Sequence, residues 1–177
     1  MYPKYSSKSI IIKRLNSKDD DQVILLYSDR FGLIFARAVS VRKANAKLKS
    51  NLSQSIVLKL TLVHSKAGWK IIEADNPNIV AYNFDTTSLR VIYQVLNFFT
   101  KIVPPNSNDS SYFDTLYKFL LHAQSGKDVK LLEIAVLHDL LVKYGSINSN
   151  FSALDNLNKL DKVEARKKIN KAMQFIK

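Results

Sequence analysis

The chain has 177 residues, no cysteine, and 27 lysines and arginines against 15 acids, a formal charge of +12. Without cysteine there is no disulfide and no thiolate metal site. No stretch approaches the 18 uninterrupted apolar residues of a membrane span, and the three-residue apolar run near the N-terminus is too short for a signal-peptide core. The expectation is a soluble cytoplasmic protein of one domain or two small ones.

The excess charge has a bland explanation. Lysines (21) far outnumber arginines (6), as A/T-rich codons would give. Its distribution is less bland. No acid lies between Asp29 and Glu73, a window holding nine cations. Residues 1–80 carry 14 bases and 6 acids, residues 81–177 carry 13 and 9. A basic field confined to one half is what a nucleic-acid footprint looks like.

In chain order, Ser9 to Asp75 reads as short strands. "SIIIKRL" leads through the acidic, turn-like "NSKDDDQ" to "VILLYS"; Gly32 punctuates, and "LIFARAVSV" resumes. After the cationic segment "VRKANAKLKSNL" (41–52) come "SIVLKLTLVH" and "GWKIIEA". Five strands in about 70 residues predict a small closed barrel. In the third strand Ile34, Ala36 and Ala38 share one face, Phe35, Arg37 and Val39 the other. Putting the small residues inside leaves an aromatic beside an arginine outside; the alternative turns Phe35 into the core. Leu48 and Leu52 predict a helical turn anchored on the barrel.

"NPNIVAYN" breaks the strand pattern, and the rest is helical. Thr87 or Ser88 can cap a first helix, stopped by Pro104-Pro105. Asp109 or Ser110 opens a second, closing near Gly126. "DVKLLEIAVLHDLLVKYG" is apolar almost all round and predicts a buried helix ended by Gly145. Asp161 and Glu164 have capping-box spacing ahead of a basic amphipathic helix with Val163, Ile169, Met173 and Ile176 on its apolar side. The expected division is a nucleic-acid-binding domain over 1–80 and a helical domain over 81–177.

The residues offer little catalysis. His64, His122 and His138 are far apart in sequence. Glu133 and His138 are five apart and do not share a helix face as a metal pair must. His138-Asp139 reads as a hydrogen-bonded core or groove pair. Asp19-Asp20-Asp21 lacks a calcium loop's alternating ligands and reads as a solvated hairpin tip. No glycine-rich phosphate loop is present. The expectation is a non-enzyme without metal or cofactor.

Residues Ser9 to Leu52 resemble the N-terminal domain of the RecO family of bacterial DNA repair proteins. That family opens with G-I-V-L-R-R and later reads G-K-I-x-A-x-A-K-G-A-R-R-x-K-S-R-L. "SIIIKR" stands for the first piece, with Lys13 and Arg14 at its basic pair, and Asp19 and Asp21 stand at acidic positions between. In "GLIFARAVSVRKANAKL", Gly32, Ile34, Ala36, Ala38, Arg42 and Leu48 match, while Lys43 and Lys47 keep the charge. Val39-Ser40 replace the family's K-G, and the four-cysteine zinc lobe of many relatives is missing. "LLEIAVLHDLLVKYGSI" is more loosely similar to the family's central helix. The resemblance implies an α+β chain with an N-terminal five-stranded OB-fold barrel followed by an all-helical domain. It further implies a nucleoid-associated recombination mediator that binds single- and double-stranded DNA and anneals strands. With RecR, such a protein helps load RecA on DNA coated by single-strand-binding protein, whose C-terminal tail it docks.

The expected DNA-binding residues are Lys13, Arg14, Arg37, Arg42, Lys43, Lys47 and Lys49 on phosphates, with Phe35 stacking on a base. Two other readings stand beside this. One is a basic RNA-binding or ribosome-associated module; the other is a protein-interaction adaptor whose lysines reflect codon bias.

Overall fold

A computed structural model describes residues 2–16, 21–39, 47–81, 83–103 and 107–176, with backbone alone at 16, 47, 49, 54 and 76–81. The strands are β1 (Lys4–Asn16), β2 (Gln22–Ser28), β3 (Gly32–Ala38), β4 (Ser55–Ser65) and β5 (Gly68–Ala81), with α1 (Lys47–Gln54) between β3 and β4. The helices α2 (Thr86–Ile102), α3 (Ser110–Gln124), α4 (Val129–Lys143) and α5 (Lys162–Met173) follow. The chain makes two compact units. One holds Met1–Tyr82 with Pro105–Phe113, the other Asn83–Pro104 with Asp114–Lys177.

In the first unit hydrogen-bonded neighbours run β1-β2-β3-β5-β4 and return to β1, a closed order. The ladders are antiparallel except at the β3–β5 seam, which is parallel and, among the described residues, pairs Ala36↔Trp69, Arg37↔Lys70 and Ala38↔Ile71. Strand alternation sets the core: Ile24, Leu26, Ala36, Ala38, Leu58, Leu60, Leu62 and Ile71 point inward and are buried. Leu52 of α1 joins them, and Leu48 packs against them, so the helical turn of "KLKSNL" is present.

The assignment of an OB-fold barrel ahead of an all-helical domain is corrected to a coarser description, an α+β chain with a five-stranded sheet and a helical region. The strands do not keep the expected limits. β1 begins at Lys4, and β5 continues through "NPNIVA" to Ala81, pairing Val80 with Val57 and Ala81 with Ser55. A register shift between Val57 and Lys59 takes up the extra residues, which is where a proline without an N–H is tolerated in a ladder. Nor do helices simply follow the sheet, because Pro105–Phe113 belongs to the sheet's unit.

That returning segment packs on the outer side of the sheet. Tyr27 is fully buried, and its hydroxyl donates to the Asp109 carbonyl at 3.0 Å. Burial, and after it the charge of Asp109, pushes the Tyr27 pKa up to about 12. An unfolded tyrosine ionises near pH ~10. The unfolded chain therefore gains from losing this proton before the folded one does. The contribution is intact below about pH 10 and is lost toward pH 12, at about 1.4 kcal/mol per pH unit. We expect Tyr27→Phe to be about 1 kcal/mol less stable at neutral pH. Urea unfolding at rising pH should show that gap closing above about pH 10. A gap independent of pH would exclude the buried hydroxyl as its source.

In the helices that follow the sheet the caps follow short-range chemistry. Asp85 accepts from the amides of Thr87 and Ser88, so α2 starts two residues earlier than a Thr87 cap, and three earlier than a Ser88 cap, would put it. Asp109 does open α3, accepting from Ser111 N at 2.8 Å. Asp161 caps α5 through Val163 N and Glu164 N. The apolar side of α5 is Ala165, Ile169 and Ala172, with Met173 packed beside them. Val163 is 64% exposed instead. Two residues before Ala165 it lies about 200° round the helix, so its apolar character misled the phase.

Candidate nucleic-acid interface

The register of the sheet decides which outer side chains are neighbours. Lys13 pairs with Leu25, and Leu25 with Phe35. In the next row Leu15 pairs with Val23, Val23 with Arg37, and Arg37 with Lys70. The outer face of β1-β2-β3 thus sets Phe35 on the same side as Lys13 and Arg37, continuing onto Lys70. Phe35 is 58% exposed, which rejects the alternative that turned it into the core. Ala36 and Ala38, fully buried, hold the opposite face.

No acid occurs in β1, β2 or β3. Asp21, just before β2, is buried, and one of its oxygens takes both Arg37 Nε at 2.7 Å and Nη2 at 2.6 Å. The ion pair fixes the guanidinium over the face while leaving 56% of the Arg37 side chain exposed. Asp21 is therefore not part of a solvated hairpin tip; Asp19 and Asp20 lie outside the described residues. The outer side of β4-β5 is different in kind. Lys59 pairs with Asp75, and Thr61 Oγ1 donates to Glu73 at 3.1 Å. Among the described residues of the sheet, the β1-β2-β3 side is therefore the more cationic one, with Arg37 held by Asp21 and Lys13 exposed beside it.

The expected site residues divide accordingly. Lys13, Phe35 and Arg37 are brought together. Arg14 is turned to another task. Its Nη2 donates to Leu52 O at 2.6 Å and lies 3.4 Å from Ser55 O, placing a cation on the last turn of α1, where the helix dipole favours one. Arg42 and Lys43 lie outside the described residues. Lys47 and Lys49 fall in the first turn of α1, which carries no acid; their side chains are not described. Lys70 was missed, although "WKII" alternates and sits in the acid-free window.

A second feature also escaped sequence reasoning. One end of the sheet is filled by rings from four separate segments. Tyr5 and Phe31 lie with centroids 5.4 Å apart, Phe31 and Trp69 4.5 Å, and Trp69 and His64 4.7 Å. The Arg30 guanidinium stands 5.6 Å from the Phe31 centroid. Each ring sits at a strand end or turn, and that position was the available signal.

The second unit has a cleft of about 560 Å³ lined in part by His122, Lys127 and Asp155. Burial, then the Lys127 charge, lowers the His122 pKa, and Lys127 Nζ stands 2.9 Å from His122 Nδ1. Asp155 is held by Lys118 at 2.9 Å. No nucleophile is aligned with a base there. His138 and Asp139 are the buried hydrogen-bonded pair the sequence suggested, 3.1 Å apart, and Asp139 also accepts from Ser152 Oγ, Ala153 N and Leu154 N and organises a loop. Among the described residues no group of three or more His, Cys, Asp or Glu could hold a metal ion, and no helix is long and apolar enough to cross a membrane.

No family model matches the chain, and no curated protein matches it. The resemblance to the RecO family is withdrawn, since neither comparison shows it; Arg42 and Lys43 of its motif lie outside the described residues.

Proposed function

We propose that this chain binds single-stranded nucleic acid on the outer face of β1-β2-β3 and brings complementary strands together there. The observation that carries the reading is the exposed Phe35 set with Lys13 and Arg37 on three strands that carry no acid, with Lys70 across the seam from Arg37. The cations neutralise phosphates and release their counterions; the phenyl ring offers a face to any base, so binding needs no particular sequence. Two strands held on one cationic surface repel each other less, and annealing then consumes no nucleotide. Loading of RecA with RecR, and docking of a single-strand-binding protein's tail, have no residue of this chain behind them, and the proposal stops at annealing.

Three phosphate contacts predict a log–log salt slope of about −2 on single strands, each contact giving roughly −0.7. The double variant Lys13→Gln/Lys70→Gln should flatten that slope by about 1.4. Phe35→Ala should weaken binding by about 1–3 kcal/mol at any salt. Fluorescence anisotropy of a labelled oligonucleotide measures both, and a salt slope indifferent to the two lysines would sink the assignment. Competition between single-stranded DNA and RNA of equal length separates the two nucleic acids; strong preference for RNA would move the function to an RNA-binding module.

A further inference from the structure

The four rings at the sheet's end are more than a plug. Tyr5, Phe31 and Trp69 are half-buried and fill the end between the β2–β3 and β4–β5 turns, but His64 is exposed on the outside of the stack, against Trp69. The imidazole leans on the indole with its plane 54° from it, a contact that narrows the orientations open to the exposed ring. It costs little further side-chain entropy to use.

Cations lead to it. The parallel seam sets Trp69 opposite Ala36 and Lys70 opposite Arg37, and Trp69 pairs in turn with His64. Lys70 therefore stands between the Phe35–Arg37 face and the rings. Lys66 is exposed in the β4–β5 turn. Arg30, also exposed, is braced by donation from Nη1 to Ser6 O at 3.1 Å. Arg30 directly follows Asp29, but no acid lies from there to Glu73, so neither Lys66 nor Lys70 has a carboxylate next to it in the chain.

We propose that His64, backed by Trp69, is a second base-stacking site, occupied by a nucleobase of the same single strand whose phosphates cross Lys70 and Lys66. The inference rests on the nucleic-acid reading of the β1-β2-β3 face and extends its path across the seam. A strand gripped at both Phe35 and His64 is held at two points by stacking, with cations between, which favours an extended backbone over a hairpin.

Trp69 is the chain's single tryptophan, so its emission reports this site alone. The full chain is titrated with a labelled thymidine oligonucleotide, following label anisotropy for binding and Trp69 emission for the rings, with inorganic polyphosphate as the charge-only probe. We expect oligonucleotide binding to change Trp69 emission saturably and in step with anisotropy, while polyphosphate binds with little change. His64→Ala, at an exposed position, should weaken oligonucleotide binding about tenfold and leave polyphosphate binding unaltered. Binding with constant Trp69 emission and an unchanged His64→Ala affinity overturns the second site while leaving the Phe35 face standing. An equal change with polyphosphate also overturns it, since stacking is then not the cause. Absence of all oligonucleotide binding overturns both readings.

Discussion

Asp139→Ala is expected to cost about 3–5 kcal/mol, the largest effect of any single replacement considered. The Asp139 side chain is buried and accepts from Ala153 N at 2.7 Å, Leu154 N at 3.0 Å and Ser152 Oγ at 3.0 Å. Ala153 and Leu154 are themselves buried, so removing the carboxylate strands two amides away from water. Each stranded amide costs about 1–3 kcal/mol. Asp139→Asn keeps one acceptor oxygen and should fall between wild type and alanine. A total stability of about 5–15 kcal/mol makes the alanine variant marginal. Urea unfolding checks this; a loss below about 1 kcal/mol would mean that water replaces the carboxylate and that the loop is not built on it.

Gly32→Ala should be the next most damaging, at about 3 kcal/mol. Gly32 has φ of 67°, a conformation that costs an L-residue about 1–2 kcal/mol. A Cβ there would also overlap the Ser107 carbonyl oxygen, so the returning segment must shift. Its hydrogen bond from Tyr27 to Asp109 would go with it, at about 1 kcal/mol. The variant has a second signature. With the segment displaced, Tyr27 should ionise closer to the ordinary tyrosine range, visible as tyrosinate absorbance. Lost stability with an unmoved Tyr27 titration would place the cost in the turn alone.

Much of this was legible in the residues, and the limits have a physical shape. Alternation in "LIFARA" correctly put Ala36 and Ala38 inside and Phe35 outside, because side-chain direction in a strand has a period of two. Leu48 and Leu52 likewise revealed α1. What a linear pattern does not carry is register and partner. Arg14 and Lys13 are adjacent and look alike in a string, yet one hydrogen-bonds the end of α1 and the other stands in solvent. The bulge that carries β5 past Pro77 depends on β4 lying beside it, so local composition read as a break. The rings of Tyr5, Phe31, His64 and Trp69 meet only once the strands are paired. Asp139 read as the buried hydrogen-bond partner of His138, which it is, but the amides it also serves lie more than a dozen residues away and left no local sign.

The seam between β3 and β5 gives the binding face a thermodynamic consequence. Among the described residues three parallel pairs make the shortest ladder of the sheet, and the middle one sets Arg37 against Lys70, two like charges that weaken it. Asp21 relieves part of that repulsion from one side. On the proposed function, a phosphate seated between the two cations relieves the rest, and by mutual linkage an anion that prefers the paired seam also holds it paired. The nucleic acid, on that reading, stabilises the sheet that grips it.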